Sequence, residues 1–427
     1  MKLGCTPLEE LTRRGMVDQV SNPQAVGQLL AEGGAVIYVG FDPTADSLHV
    51  GHLLPVMGLR LLQSRGHHPI VLIGGATGMI GDPSGRSAER RLLTLEEVAQ
   101  NAQAIRAQLA RFLDFSGANA ARMVDNSEWL GAIRHVDWLR DIGKCFTVNY
   151  MLAKESVRRR VEDREQGMSY TEFSYMLLQA YDFLYLFDHY GCIIQAGGAD
   201  QWGNITAGID LIRKLRGHEV YGLTFPLLTT ATGEKFGKSE GEPVWLDSRR
   251  TTPYQFYQFW IRTDDADVER YLKLFTAEPI EAIEEVCRRH RETPERREAQ
   301  RLLAARVTEM VHGAQALRQA MKASDILYGK EIAAISDTDL AEIFSDVPSV
   351  SFERRVLEAG LTLVDLVVQA GLCTSKAEAR RLIQGGGLYL NNRRVGSDSV
   401  VSERALASET MLVLRTGKKN YRLVRFL

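Results

Sequence analysis

The residues best suited to chemistry lie in two short segments far apart in the chain, His49-Val50-Gly51-His52 and Lys235-Phe236-Gly237-Lys238-Ser239. His49 and His52 are three residues apart, so on a first helical turn their rings point the same way. The start of a helix collects unpaired N–H groups and the positive end of its dipole, which suits a phosphate. Gly51 is expected to leave room for a base or ribose against the backbone. Thr44, in the loop Asp42-Pro43-Thr44, can add a hydroxyl donor. The stretch from Gly233 to Ser239 is one residue short of P-loop spacing. The Glu240-Gly241-Glu242-Pro243 that follows opposes the helix a P-loop requires. The segment reads instead as a polar, Gly-rich loop that no regular element holds rigid, delivering Lys235 and Lys238 to phosphates. A lone histidine is more often a satisfied structural residue, and a lone lysine run a solvated loop. Together the two segments imply stabilisation of charge on a transferring phosphate.

A second constellation is Tyr175, Gln179 and Asp182, at i, i+4 and i+7 on an apolar helix expected over 173–187. Such spacing makes one polar stripe facing inward. Buried polar groups need partners, and Asp182 has no basic neighbour in its own segment. The stripe is either an internal hydrogen-bonded network or a pocket for a small polar ligand. Asp82, after the glycine-rich 74–81 run, could offer a carboxylate to an ammonium group. Tyr38 points at the same crevice by topology.

The elements that must position these groups alternate. Val36–Phe41 reads as a strand, 52–63 as a helix, and 69–73 as a second strand, with a further strand from Cys192 into Ala196-Gly197-Gly198. This order argues for an α/β domain with a doubly wound, Rossmann-like parallel sheet, with ligands at the carboxyl ends of its strands. Pro55 should make the first helix start late or bend. From Thr252 the pattern turns helical, with Leu303, Val307, Met310 and Val311 on one face. The expected organisation is a catalytic domain over 1–246, a helical domain over 247–330, an acidic linker over 331–360 and a small α+β module over 361–427. In that module Leu363, Leu366, Val367 and Ala370 share a face, and Ser375 with Glu378 forms a capping box.

Charge singles out the same module. The whole chain carries a formal charge of -2, which gives no global attraction to nucleic acid. From Leu361 to Leu427 there are 11 Lys+Arg against 5 Asp+Glu, a net of +6. Lys376, Arg380 and Arg381 share a helix, Arg393 and Arg394 follow a strand, and Lys418 and Lys419 lie near the end. A basic patch confined to one module suits phosphate-backbone contacts with RNA. The five cysteines are scattered without metal-ligand spacing, so reduced thiols and no protein-bound metal are expected. No apolar run approaches a membrane span, and no signal segment is evident. A cytoplasmic protein is expected.

In this order the motifs closely resemble those of the bacterial tyrosyl-tRNA synthetases, a class I aminoacyl-tRNA synthetase family, over nearly the whole chain. Tyr38-Val39-Gly40-Phe41-Asp42-Pro43-Thr44 with the His-x-Gly-His segment resembles the family's first ATP motif, and the lysine segment its second. Gly197-Gly198-Ala199-Asp200-Gln201-Trp202-Gly203-Asn204 is similar to the segment lining the ribose and amino-acid sites. The C-terminal module resembles the RNA-binding fold of a small-subunit ribosomal protein, best matched at Ser375-Lys376-Ala377-Glu378-Ala379-Arg380-Arg381. Pro55 departs from relatives that have threonine there, which should tune ATP contact.

The resemblance implies an enzyme that joins L-tyrosine to ATP, giving tyrosyl-adenylate, and then charges tRNA(Tyr). ATP is co-substrate and Mg2+ accompanies it. Tyr38 and Asp182 would bind the phenol, Asp82, Tyr175 and Gln179 the ammonium, and Gln201 the region of the carboxylate. Gly40, Asp42, His49, His52, Gly198, Asp200, Lys238 and Ser239 would contact ATP. Thr44, His49, His52, Lys235 and Lys238 would stabilise the departing phosphates, and Lys376, Arg380, Arg381, Lys418 and Lys419 would contact RNA. The family is homodimeric. Tryptophanyl-tRNA synthetases share the fold and both ATP motifs, but Tyr38, Asp182 and the C-terminal module argue against them. A noncatalytic RNA-binding relic and a small-molecule nucleotidyltransferase are the other readings. Intact ATP motifs disfavour the first, and the basic module disfavours the second.

Overall fold

The computed structural model describes residues 5–84, 93–155, 157–158, 167–233, 236–239, 241–327, 329–332, 335–344, 347–417 and 420–427, with the backbone alone at 238–239. Two compact units divide the chain, Met1–His312 and Gly313–Leu427. The first holds a six-stranded sheet: β1 (Gln19–Val20), β2 (Val36–Phe41), β3 (His68–Ile73), β4 (Arg122–Asp125), β5 (Cys192–Gly198) and β6 (Tyr221–Phe225), in the order β1-β6-β5-β2-β3-β4. Only β1 runs antiparallel, at one edge against β6. β2 and β3 read as near-continuous apolar runs because both faces of the sheet are covered. The strand order reverses between β2 and β5, which opens a crevice beyond their carboxyl ends, as a doubly wound sheet requires.

Three helices deliver the site. A 3-10 turn, Val50–His52, leads into the helix Leu53–Ser64. Pro55 is the third residue of that helix, where its missing N–H is one of the unpaired donors of the first turn. The α-helix thus begins one residue later than expected, at Leu53, with Pro55 inside its first turn. Tyr170–Tyr190 is capped by Ser169, whose side chain accepts from the Glu172 N–H, and ends at Gly191 in the left-handed region. The Trp202–Arg216 helix packs along it, and both cover the β2–β5 face around a core that includes Tyr38, Phe183 and Leu211. The helices Pro253–Ile261, Asp265–Phe275 and Ile280–Glu292 pack within this same unit. Glu298–Leu327 continues the helical run and is broken at Gly313 (φ 86°).

The second unit has a five-stranded sheet. After the β7–β8 hairpin of the first unit (Lys238–Ser239 and Glu242–Pro243), its strands are β9 (Ser349–Phe352), β10 (Leu388–Leu390), β11 (Arg393–Arg394), β12 (Met411–Thr416) and β13 (Asn420–Phe426), ordered β11-β10-β12-β13-β9. The stretch 331–360 was expected to be a linker, yet its β9 pairs in parallel with β13 and closes that sheet. The expected apolar face holds: Leu363, Leu366, Val367 and Ala370 are all buried. The capping box is only half formed. Ser375 accepts from the Glu378 N–H, but the Glu378 carboxylate reaches back to Thr374.

Candidate active site

The inner end of the crevice is built from buried polar groups that the stripe on the Tyr170–Tyr190 helix begins. Asp182 is fully enclosed, with one carboxylate oxygen accepting from Asn126 Nδ2 at 3.0 Å and the other from Trp129 Nε1 at 2.8 Å. Burial pushes its pKa up to about 8 against those two donors, and the charges of Asp42 and Asp125 push the same way. Tyr38, on β2, has a buried hydroxyl with no partner among the described residues. Burial first, then the charges of Asp182 and Cys192, hold that phenol well above its ordinary range. An enclosed carboxyl group and an enclosed, unpaired hydroxyl within reach of its charge make an arrangement that one more hydroxyl would complete.

Further out, the stripe divides between two networks. Tyr175 donates to Asp42 Oδ2 at 2.8 Å, and Thr77 donates to Asp42 Oδ1 at 2.7 Å. Burial and the neighbouring charges of Asp42 and Asp82 push the Tyr175 phenol well up. Both oxygens of Asp42 are thus engaged inward, although ATP contact was expected of it. Gln179 Oε1 accepts from Asn204 Nδ2 at 3.0 Å. Asn204 also donates to Gln201 Oε1 at 3.2 Å, and Gln201 Nε2 donates to Asp82 Oδ2 at 2.7 Å. One connected set of side chains therefore joins Asp82, Gln201, Asn204 and Gln179. The first oxygen of Asp82 caps the Ser84 N–H at 2.9 Å. Gly198 ends β5, with Asp200 in the turn that follows.

At the outer end the two motifs meet. His49 Nδ1 accepts from the Gly51 N–H at 3.1 Å, and His52 Nδ1 accepts from the His49 N–H at 3.1 Å. With Nδ1 accepting in both, each neutral imidazole carries its proton on Nε2, which is then a donor. The rings lie 3.9 Å apart, centroid to centroid. A Cβ at Gly51 would come within 2.8 Å of His49 Cε1, so the missing side chain gives that ring its room. Gly40 is exposed near the end of β2, and Thr44 is exposed in the following loop.

The lysine segment was expected to be loose along its length, and here the structure differs. Phe236 is buried among Phe259, Trp260, Tyr271 and Phe275, and stacks on Phe275 at 5.4 Å. Gly237 follows with φ 90°, a conformation open to glycine. Lys238–Ser239 then pairs with Glu242–Pro243 as a hairpin. The Val244 N–H returns to Gly237 O at 2.9 Å, while Val244 O accepts from the Val50 N–H at 2.9 Å. A buried aromatic anchor and two backbone bonds thus hold the hairpin's base against the first motif. Lys235 and the side chains of Lys238 and Ser239 lie outside the described residues.

In the second unit, Arg380 and Arg381 are exposed on the helix Lys376–Gln384. Lys376 pairs with Asp365 at 2.5 Å and Arg393 with Glu331. Arg394 donates to Gly386 O at 2.8 Å. The basic excess is therefore partly neutralised, and Arg380 and Arg381 present its open face. Lys418 and Lys419 lie outside the described residues.

Sequence reasoning missed Asn126, Trp129 and Thr77 as parts of the site. Asn204 was visible only as the last residue of a recognised segment. Asn126 and Trp129 lie 56 and 53 residues from the carboxylate they serve, and no spacing rule links them to it.

Residues 31–329 match the family "tRNA synthetases class I (W and Y)", and residues 339–424 match "Tyrosine--tRNA ligase SYY-like C-terminal domain". The fold and crevice are thus those of a class I synthetase of the tryptophan and tyrosine group. Tyrosine--tRNA ligase of Roseiflexus castenholzii is 52% identical over 431 residues, covering 99% of this chain and 100% of that protein. Tyrosine--tRNA ligase 1 of Bacillus subtilis is 49% identical over 423 residues, covering 98% and 99%. A C-terminally truncated mitochondrial tyrosyl-tRNA synthetase of Aspergillus nidulans superposes with TM-score 0.69 at 32% identity, covering 75% of this chain and 94% of that one. The chain belongs to the tyrosine--tRNA ligase family.

Proposed function

We propose that this chain activates L-tyrosine with ATP and transfers the tyrosyl group to the 3′-terminal adenosine of tRNA(Tyr). The observation that carries the reading is the enclosed pair at the crevice floor: the Asp182 carboxylate, oriented by Asn126 and Trp129, and the unpaired Tyr38 hydroxyl. A substrate phenol would donate to the first and accept from the second. A phenylalanine ring would leave the Tyr38 hydroxyl unpaired and bring no donor to Asp182, so selection needs no editing site. Asp82, Tyr175 and Gln179 would hold the ammonium, with Asp42 fixing Tyr175 and Gln201 lying toward the carboxylate.

The tyrosine carboxylate is ionised at neutral pH, so the attack needs no general base. It forms a bond to the α-phosphorus of Mg2+-bound ATP in line with the departing pyrophosphate, giving tyrosyl-adenylate. Catalysis then rests on positioning and on donors aimed at the developing charge. His49 and His52 would contribute Nε2–H donors from one side and Thr44 its hydroxyl. Lys235, Lys238 and Ser239 would close from the other, each group worth on the order of 10²-fold in rate. Gly40, Gly198 and Asp200 would bind the adenosine. A hydroxyl of the tRNA's terminal ribose then attacks the tyrosyl carbonyl and releases AMP.

Arg380 and Arg381, with Lys376, Lys418 and Lys419, would meet the RNA backbone. A homodimer is supported by exposed apolar side chains on two consecutive short helices: Val136 and Leu139 on one, Val148 and Leu152 on the other. No helix among the described residues is long and apolar enough to cross a membrane. The described cysteines are free thiols, which suits a cytoplasmic enzyme. The deciding experiment is ATP–pyrophosphate exchange. It is expected to depend on tyrosine and not on tryptophan, and the reverse dependence would refute the assignment.

A further inference from the structure

The first ATP motif is tied to the segment after the second by more than the contact at Val50. The Leu246 N–H donates to Leu48 O at 2.8 Å, and His49 pairs with Trp245 as an isolated antiparallel bridge. The two strips therefore run as a short two-stranded ladder with His49 at its centre. Arg250 reinforces it, stacking over the Trp245 ring at 3.6 Å and donating to Asp46 at 2.7 Å.

Behind the ladder lies one buried amide. Gln108, on the helix Leu95–Leu109, accepts from the Leu48 N–H through Oε1 at 2.9 Å and donates from Nε2 to Ser47 Oγ at 3.0 Å. Ser47 Oγ also accepts from the Asp247 N–H at 3.2 Å and donates to Leu48 O at 2.7 Å. Ser47 and Gln108 are both buried, so these neutral groups depend on one another for their partners. The helix carrying Gln108 belongs to neither motif, yet through Ser47 it reaches the residues flanking both.

The geometry points to Gln108, acting with Ser47, as a positioning residue that registers His49 against the base of the Lys238–Ser239 hairpin, so that both motifs address the same phosphates. This rests on the reading of the site as the place of tyrosine activation. Both side chains spend their hydrogen bonds on the backbone and on each other. Their effect passes through the backbone of Leu48 and Asp247, which sets where the His49 Nε2–H and the hairpin stand.

The test is single-turnover tyrosyl-adenylate formation by the full-length enzyme, with tyrosine affinity measured separately by equilibrium binding. Gln108→Met keeps the length of the side chain and removes both hydrogen bonds. Its activation rate constant is expected to fall about 10²-fold, as an ångström-scale misplacement of catalytic groups does, while the tyrosine dissociation constant stays the same. Ser47→Ala breaks the link from the other end and should lose a similar factor; it also carries the test if Gln108→Met fails to fold. The double variant should lose little more than either single one, because the two act as a unit. An unchanged rate in the folded variants, losses that multiply, or a parallel fall in tyrosine affinity would each overturn the proposal. Absence of tyrosine-dependent exchange in the unmodified enzyme would instead overturn the reading of the reaction, so the two failures are distinguishable.

Discussion

The two ends of the crevice are built on opposite principles. At the inner end, Asp182, Asp42, Asp82 and Gln201 each already have partners within the protein, while the buried Tyr38 hydroxyl has none among the described residues. At the outer end, the backbone is registered by the His49–Trp245 bridge, which joins the turn of the first motif to the strip that follows the hairpin of the second. A selective pocket must be rigid before its ligand arrives, because discrimination comes from the cost of leaving a buried group unpaired. A phosphate clamp acts where charge develops, so the backbone that places its donors must be held in register.

This contrast can be broken at its outer end most severely. Lys238→Ala should lower the rate of tyrosyl-adenylate formation by about 10²-fold or more with tyrosine binding retained, read by single-turnover kinetics. Equal loss of tyrosine affinity would erase the distinction between the two ends. Tyr38→Phe acts at the inner end. It should cut the preference for tyrosine over phenylalanine by roughly ten- to a hundredfold, the cost of a buried phenol losing one partner, with ATP handling little altered. Competitive pyrophosphate exchange measures both.

The second unit offers an independent contrast. Arg380→Ala combined with Arg381→Ala should weaken tRNA binding several-fold and reduce its logarithmic salt slope by roughly 2. Amino-acid activation should be untouched, and charging assays at two salt concentrations would show the split.

The gentlest probe is pH. Asp182 rises from an ordinary 3.8 to about 8, so between those values the folded protein holds a proton that the unfolded chain has released. Its contribution is full below pH 3.8 and is lost as pH rises through about 8. Ligand-free stability of the wild type should therefore fall, relative to Asp182→Asn, across that window. Chemical denaturation at stepped pH checks it, and parallel curves would contradict the enclosed carboxylate.

Much of the fold was legible because periodicity and glycine punctuation reflect local rules. The apolar runs of β2 and β3, the inward stripe of Tyr175, Gln179 and Asp182, and the apolar face of Leu363–Gln369 all stand where pattern placed them. Local rules misjudged the lysine segment. Its polarity suggested a loose loop, but Phe236 has an aromatic pocket built from residues 259 to 275, which no reading of the loop itself could supply. The same limit hid β9. Ser349–Phe352 alternates exposed and half-buried positions, and it is a strand because β13 offers it an edge.

By itself the sequence determined the chemistry available: two donor-rich motifs, a polar stripe on an apolar helix and a basic module, since residue type and helical spacing are local properties. Tertiary structure decided what those groups can do. It brought Asn126 and Trp129 to Asp182, left Tyr38 without a partner among the described residues, and laid the segment after one ATP motif along the other. Each of those outcomes depends on burial and on partners distant in the chain. Desolvation and hydrogen-bond satisfaction are settled only when the whole fold has closed.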